Sequence, residues 1–320
     1  MKLLKQSTLM TALLLAASPP MPAIAQAPGA GSAVEAASQA ILANPKVIKA
    51  LEDIKADDGQ AFAEQKRITE IPAPPYKERQ RAEYFLKRLL ELGFKDASID
   101  AEGNVIALRR GSGGGRPKLV VSAHLDTVFP EGTDVTVKEK DGVILAPGIG
   151  DDSRGLAALL SMIKSLNANA IATVGDLMFV GTVGEEELGN LRGVRALFRD
   201  HADIDGFISI DGLGVTKVVN QATGSHRYEM TFKGPGGHSF QEFGLPSAIH
   251  AMGRAIAKIS ELQTPFRSQD HLHRRHRERR NFRQRHRGGS ENGGRHALEF
   301  DRGIAQARGS PARSRQAGGG

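Results

Sequence analysis

Val121-Ser122-Ala123-His124-Leu125-Asp126-Thr127-Val128-Phe129-Pro130 is the stretch on which the reading of this chain turns. Leu119, Val120 and Val121 form a short apolar run after the glycine-rich turn former Gly111–Pro117, which predicts a buried strand running out into a loop. His124 and Asp126 are two residues apart, so on a strand both side chains point to the same face. A carboxylate beside a histidine can take one ring N–H, fix the tautomer and leave the other nitrogen for a cation. The competing reading is a strand-end histidine capped locally by a nearby aspartate.

Working outward, the same pattern recurs. Val135–Val137 and Val143–Leu145 around Lys140-Asp141-Gly142 predict a hairpin. It leads into Gly150-Asp151-Asp152-Ser153-Arg154-Gly155 and a helix carried by Leu156, Leu159, Leu160, Ile163 and Leu166. Leu177–Val180 is an apolar strand ending in Gly184-Glu185-Glu186-Glu187, and Gly206–Ile210 is another ending in Asp211-Gly212. Upstream, residues 34–70 and 77–92 carry helical apolar spacing, and 97–109 carry strand signals. Strands alternating with helices imply an α/β fold with a mostly parallel sheet, whose ligand sites lie at the carboxyl ends of the strands. His124, Asp151, Glu185, Glu186 and Asp211 all fall at such ends. Each motif alone has a plainer reading: a helix cap for Asp151-Asp152, a solvated acidic turn for Glu185–Glu187, a simple turn for Asp211-Gly212. Their order is far more specific than any one of them.

Composition narrows the chemistry. The 320 residues contain no cysteine, so disulfides, thiol nucleophiles and thiolate-bound zinc are excluded, and a metal site must use His, Asp and Glu. Residues 1–25 read as a secretory signal: Lys2 and Lys5, an apolar core Leu9–Ser18 too short to span a bilayer, and Ala23-Ile24-Ala25 before a cleavage at Gln26. A periplasmic or secreted protein is expected, with no membrane attachment once the signal is cut. The net charge of +7 is unevenly placed: residues 266–320 hold 14 Arg, no Lys and 5 acidic residues, whereas residues 1–265 are slightly acidic.

Taken together, Ser122-Ala-His-Leu-Asp-Thr-Val, Gly150-Asp-Asp-Ser-Arg-Gly, Gly184-Glu-Glu-Glu-Leu-Gly, Ile210-Asp-Gly and Gly234-Pro-Gly-Gly-His238-Ser resemble the di-zinc metallopeptidase family of peptidase T, glutamate carboxypeptidase, acetylornithine deacetylase and the zinc aminoacylases. The resemblance covers about residues 40–263. It implies a zinc-exopeptidase-like catalytic α/β domain (34–222), a mostly parallel sheet flanked by helices, and an incomplete α/β lid or dimerisation domain (223–265). It further implies two zinc ions, with cobalt or manganese as alternatives. His124 and Asp211 would bind one and Glu186 the other. Asp151 would bridge them, Glu185 would act as general base on a metal-bridged water, and Asp126 would orient His124. His238 would reach the active site of the other subunit in a homodimer, its plainer reading being a glycine-rich turn histidine. The Asp151–Asp152 peptide is expected to be cis. The family usually has Lys where this chain has Ser153-Arg154, a minor departure. The implied activity is hydrolysis of small peptides or N-acyl amino acids.

After the lid, the family chain returns to the catalytic domain and supplies a last zinc-binding histidine; no equivalent is visible here. Residues 266–320 instead form an arginine-rich, aperiodic stretch with His271, His273 and His276, which predicts a frameshift near Pro265 and a disordered tail. An arginine-rich arm for nucleic acid and a metal-binding histidine tract are the other readings of that stretch; without interleaved aromatics for base stacking, no nucleic-acid partner is expected. The chain as written is thus expected to be inactive or nearly so. The alternative to an enzyme is an inactive remnant or a binding module with a basic tail.

Overall fold

The computed structural model describes residues 30–212, 214, 216–220, 224–238, 240–261, 282–287 and 295–304. The expected signal segment, Ser239 and the tail histidines His271, His273 and His276 lie outside the described residues. The chain divides into two units, Met1–Val215 and Thr216–Gly320, a few residues before the boundary expected after residue 222.

The first unit opens with α1 (Ala30–Leu42), α2 (Pro45–Ala56), α3 (Asp58–Thr69) and α4 (Arg79–Glu91). The long helix expected over 34–70 is thus three. Asn44 caps α2 by accepting from the Lys46 N–H at 2.9 Å, and Pro45 occupies the first helical position, a pairing that starts a new helix. Ile48 and Leu51 are exposed, and Ala50 is the buried residue of α2. Next come β1 (Ser98–Ile99), β2 (Val105–Arg109), β3 (Lys118–His124), β4 (Lys138–Lys140) and β5 (Val143–Leu145). The hairpin of β4 and β5 starts at Lys140↔Val143, so its first strand is 138–140 and not 135–137. Asp141 and Gly142 both have positive φ, at 53° and 73°. Such a two-residue turn requires the strands to abut it directly. α5 (Ser153–Ala168), β6 (Asp176–Thr182), α6 (Arg192–Asp200) and β7 (Gly206–Ser209) complete the unit.

Five strands form one sheet in the order β1-β2-β6-β3-β7. β3 lies parallel to both β6 and β7, and β2 is antiparallel to β6. β3 is buried on both faces, as a continuous apolar run predicts. Val121 and Ala123 join Phe179 in the larger core with Phe85 and Leu89 of α4 and Leu156, Leu159 and Ile163 of α5. Val120 joins Met178, Val180 and Leu197 on the other face. Each of these fully buried Leu, Ile or Phe side chains contributes about 1.5–3 kcal/mol. The strand that ends in His124 is therefore firmly anchored, paired on both edges and packed on both faces.

In the second unit, β8 (Gly224–Lys233), α7 (Ala248–Ser260), β9 (Phe282–Arg287) and β10 (Arg295–Ile304) form a three-stranded antiparallel sheet ordered β8-β10-β9, with α7 against β8 and β10. This revises the expectation of an irregular tail over 266–320: two stretches within it are strands. Register pairs Leu298 with Met230 and Phe300 with both Tyr228 and Phe282. Leu298, Phe300 and Ile304 fall at alternate positions, and this short period-two signal was hidden among the arginines. Among the described residues no helix is long and apolar enough to cross a membrane.

Candidate metal centre

The carboxyl ends of β3, β6 and β7 and the start of α5 bring the site together. His124 ends β3 and is buried. Its Nε2 lies 2.8 Å from Asp151 Oδ1 and 4.0 Å from Asp211 Oδ1. His124, Asp151 and Asp211 each offer a ligand atom, all within 4.8 Å of one another, and so do His124, Glu185 and Glu186. The two groups share His124, so they form one contiguous centre of nitrogen and oxygen donors. Such a set suits zinc and other divalent cations.

Asp126 works from behind. Its Oδ1 and Oδ2 accept the backbone N–H groups of Glu185 (3.1 Å) and Glu186 (2.8 Å). His124 Nδ1 is 3.0 Å from the main-chain carbonyl of Asp126 and 3.7 Å from its carboxylate. The ring N–H thus donates to the carbonyl, and the carboxylate acts on the ring as an ion pair at most; the expectation that it would orient His124 directly is refined accordingly. Asp126 instead ties the histidine strand to the turn carrying Glu185 and Glu186.

Asp152, read from sequence as a helix cap, does more. It is buried and caps α5 by accepting the Gly155 N–H at 3.1 Å, while its other oxygen accepts the His124 N–H at 2.8 Å. The peptide between Asp151 and Asp152 is cis. Its capping position could be read from sequence; its bond to His124 could not. Arg81 of α4, fully buried, carried no signal at all. It donates to the Leu125 carbonyl at 2.9 Å and the Ile71 carbonyl at 2.7 Å, holding the backbone between His124 and Asp126.

The crowding of carboxylates shows in their acidities. Burial, reinforced by Asp151 and Glu185, pushes Glu186 up to about 7. Burial also raises Glu185; His124 opposes this, and Asp211, Asp126 and Asp151 add to it. Asp152 is pushed up to about 8, chiefly by burial. For His124 burial is the largest influence and would lower it, but Asp126, Asp151 and Asp152 outweigh it and raise it to about 11. The hydrogen bond to His124 holds Asp151 below the usual carboxylate range. Negative charge is thus in excess, and a divalent cation would relieve it.

His238 belongs to the second unit and is exposed. Its Nδ1 accepts the Phe240 and Gln241 N–H groups, each at 3.3 Å, which leaves the ring proton on Nε2.

Residues 120–218 match the family described as Peptidase family M20/M25/M40. A protein of Pyrococcus abyssi named as a LysW-lysine/LysW-ornithine hydrolase is 35% identical over 132 residues, 41% of this chain and 34% of the relative. The N-formyl-4-amino-5-aminomethyl-2-methylpyrimidine deformylase of Bacillus subtilis is 26% identical over 215 residues, 61% of this chain and 50% of its own length. The matches thus span a third to a half of these curated relatives. The dipeptidase Dug1p of Saccharomyces cerevisiae shares the fold at a TM-score of 0.59 and 14% identity, over 79% of this chain and 71% of its own. His124, Asp151, Glu185, Glu186 and Asp211 all lie within the segment that matches the Peptidase family M20/M25/M40.

Proposed function

We propose that this chain is a hydrolase of amide bonds in small peptides or N-acyl amino acids, dependent on a pair of divalent cations, zinc first among them. The observation that carries the reading is the convergence of His124, Asp151 and Asp211 within 4.8 Å, with Glu185 and Glu186 grouped on the same histidine. His124, Asp151 and Asp211 would hold one cation, and Glu186 the other, with Asp151 shared. The bound pair supplies Lewis-acid polarisation of the scissile carbonyl and lowers the pKa of a water. Glu185, its affinity for protons raised by burial, takes the proton of that water and delivers it to the leaving nitrogen. Asp126 holds the Glu185–Glu186 turn in place through two N–H bonds. His238, with its proton on Nε2, donates to the carbonyl oxygen across a homodimer. The names of both curated relatives are those of hydrolytic enzymes, which favours hydrolysis over a binding role. The lysines and apolar core of residues 1–25 support export to the periplasm or medium.

The test uses the purified chain, stripped of metal and titrated with zinc, on a panel of dipeptides and N-acyl amino acids. Zinc-dependent turnover is expected to be weak, because the second cation lacks the last histidine that the resemblance implies, and to fall further, by about 100-fold, in Glu185→Gln with zinc binding retained. Zinc binding without turnover on any substrate would support the binding-module reading. An equally active Glu185→Gln would remove the assigned base.

A further inference from the structure

The turn after β6 carries both the assigned base and a metal ligand, and its two flanks converge on Arg192. This residue opens α6. Its backbone N–H donates to the Gly189 carbonyl at 3.0 Å, and the Gly189 N–H in turn donates to Glu186 at 2.8 Å. Its guanidinium is largely buried and reaches in two directions. Nη2 lies 2.7 Å from Glu78 Oε1, while Nη1 lies 3.1 Å from Glu102 Oε1 and 2.9 Å from the Glu102 carbonyl. Glu78 precedes α4, and Glu102 lies in the β1–β2 turn, so one side chain joins three separate elements. The same guanidinium lies 5.2 Å from the centre of the Tyr76 ring. Tyr76 extends the clamp: its N–H donates to Glu78 Oε1 at 3.0 Å and its hydroxyl to the Leu188 carbonyl at 2.7 Å. On the near side, the Gly193 N–H donates to the Val183 carbonyl at 3.0 Å, and the Val183 N–H donates to Asn104 Oδ1 at 3.1 Å. Residues 183, 186, 188 and 189 are all tied by this network, which leaves the Glu185 and Glu186 side chains free for the centre.

We infer that Arg192, with Tyr76, is a positioning residue that fixes the turn bearing Glu185 and Glu186. The inference rests on the functional reading above for the roles of those two glutamates. Arg192 acts at a distance from the centre and touches no ligand atom. Planar recognition of two carboxylates in different directions suits a guanidinium and not an ammonium. Residues that orient metal ligands typically change metal affinity or activity by 10–100-fold when lost.

The experiment compares the wild-type chain with Arg192→Lys, Tyr76→Phe and the double variant Arg192→Met/Glu78→Gln, which avoids leaving Glu78 buried and unpaired. Two quantities are read: hydrogen exchange of the amides of residues 183–189 against those of β3, and cobalt(II) binding followed by its visible absorption. Exchange at Glu185 and Glu186 is expected to accelerate while β3 stays protected, and the weaker cobalt step is expected to loosen about tenfold. Where turnover is present, kcat should fall with KM little changed. Tyr76→Phe, which removes a single hydroxyl, is expected to fold and to show the same pattern more weakly. Uniform acceleration over the turn and β3 together would reduce Arg192 to a stability role and overturn the inference. So would unchanged exchange at Glu185 and Glu186 in all three variants. If the wild type binds no cobalt and hydrolyses nothing, the functional reading fails on its own, and the exchange pattern alone decides whether the clamp exists.

Discussion

Glu186, Asp152 and His124 all hold their protons more tightly in the folded chain than their ordinary values allow, and this has a definite sign. Glu186 is raised from 4.5 to about 7, so the stability it contributes is present below 4.5 and lost as pH rises through 7. Asp152 does the same between 3.8 and about 8, and His124 between 6.5 and about 11. Asp126 and Asp151 are lowered and work in the opposite sense, but only in acid below their ordinary value of 3.8. The metal-stripped protein should therefore melt at progressively lower temperature from pH 5 to 8. Glu186→Gln should flatten part of that slope. Saturating zinc should remove or reverse it, because a cation binds the deprotonated ligands and stabilises only the folded state. A melting temperature independent of pH in the stripped protein would contradict these assignments. At this scale the ligands were legible because carboxylates and a histidine at strand ends are visible as letters. The contribution of Arg81 was not, since nothing in an amphipathic helix marks which arginine turns inward to two carbonyls.

At the scale of elements, the seam between α5 and β7 is set by Gly155. A Cβ there would lie 2.2 Å from Asp152 Oδ1 and 2.4 Å from the Ile210 carbonyl, so the helix can approach the strand carrying Asp211 only without a side chain. Gly155→Ala should cost about 1–3 kcal/mol by overpacking, even though alanine is the better helix former, and it should weaken cation binding by displacing Asp152. Gly253→Ala in α7, where a Cβ meets nothing within 4 Å, should instead stabilise by about 0.4–1 kcal/mol. Denaturant unfolding of the two variants checks both; a stabilised Gly155→Ala would show that the seam relaxes. The three central strands could be read from their apolar runs, and α4 and α5 from helical apolar spacing; the breaks at Asn44 and Asp57 that divide 34–70 into three helices could not. The hairpin register could not, because the demand of the Asp141-Gly142 turn outweighed the β-branched residues at 135–137. The strands β9 and β10 were missed because arginine at alternate positions masks the pattern that Leu298, Phe300 and Ile304 carry.

For the molecule as a whole, the core described lies almost entirely in the first unit; Met252 is the only buried apolar residue of the second among the described residues. Both sets of converging ligands also belong to the first unit. A fragment of residues 30–215 should thus unfold cooperatively and titrate cobalt(II) as the full chain does. A fragment that fails to fold, or binds more than about tenfold more weakly, would mean that the second unit helps to build the centre; about tenfold is 1.4 kcal/mol, the scale of one good interaction. The sheet itself carries a last consequence. β3 pairs with β6 through His124↔Thr182 and with β7 through Ser122↔Ser209. A slip that kept every side chain on its proper face would have to be two residues, moving His124 by about 6.6 Å along the strand. Zinc–ligand bonds tolerate only a few tenths of an ångström. The sheet is therefore a vernier: the apolar contacts of Val120, Val121, Phe179 and Val180, none of them a ligand, admit a single setting, and that setting determines where the ligands meet.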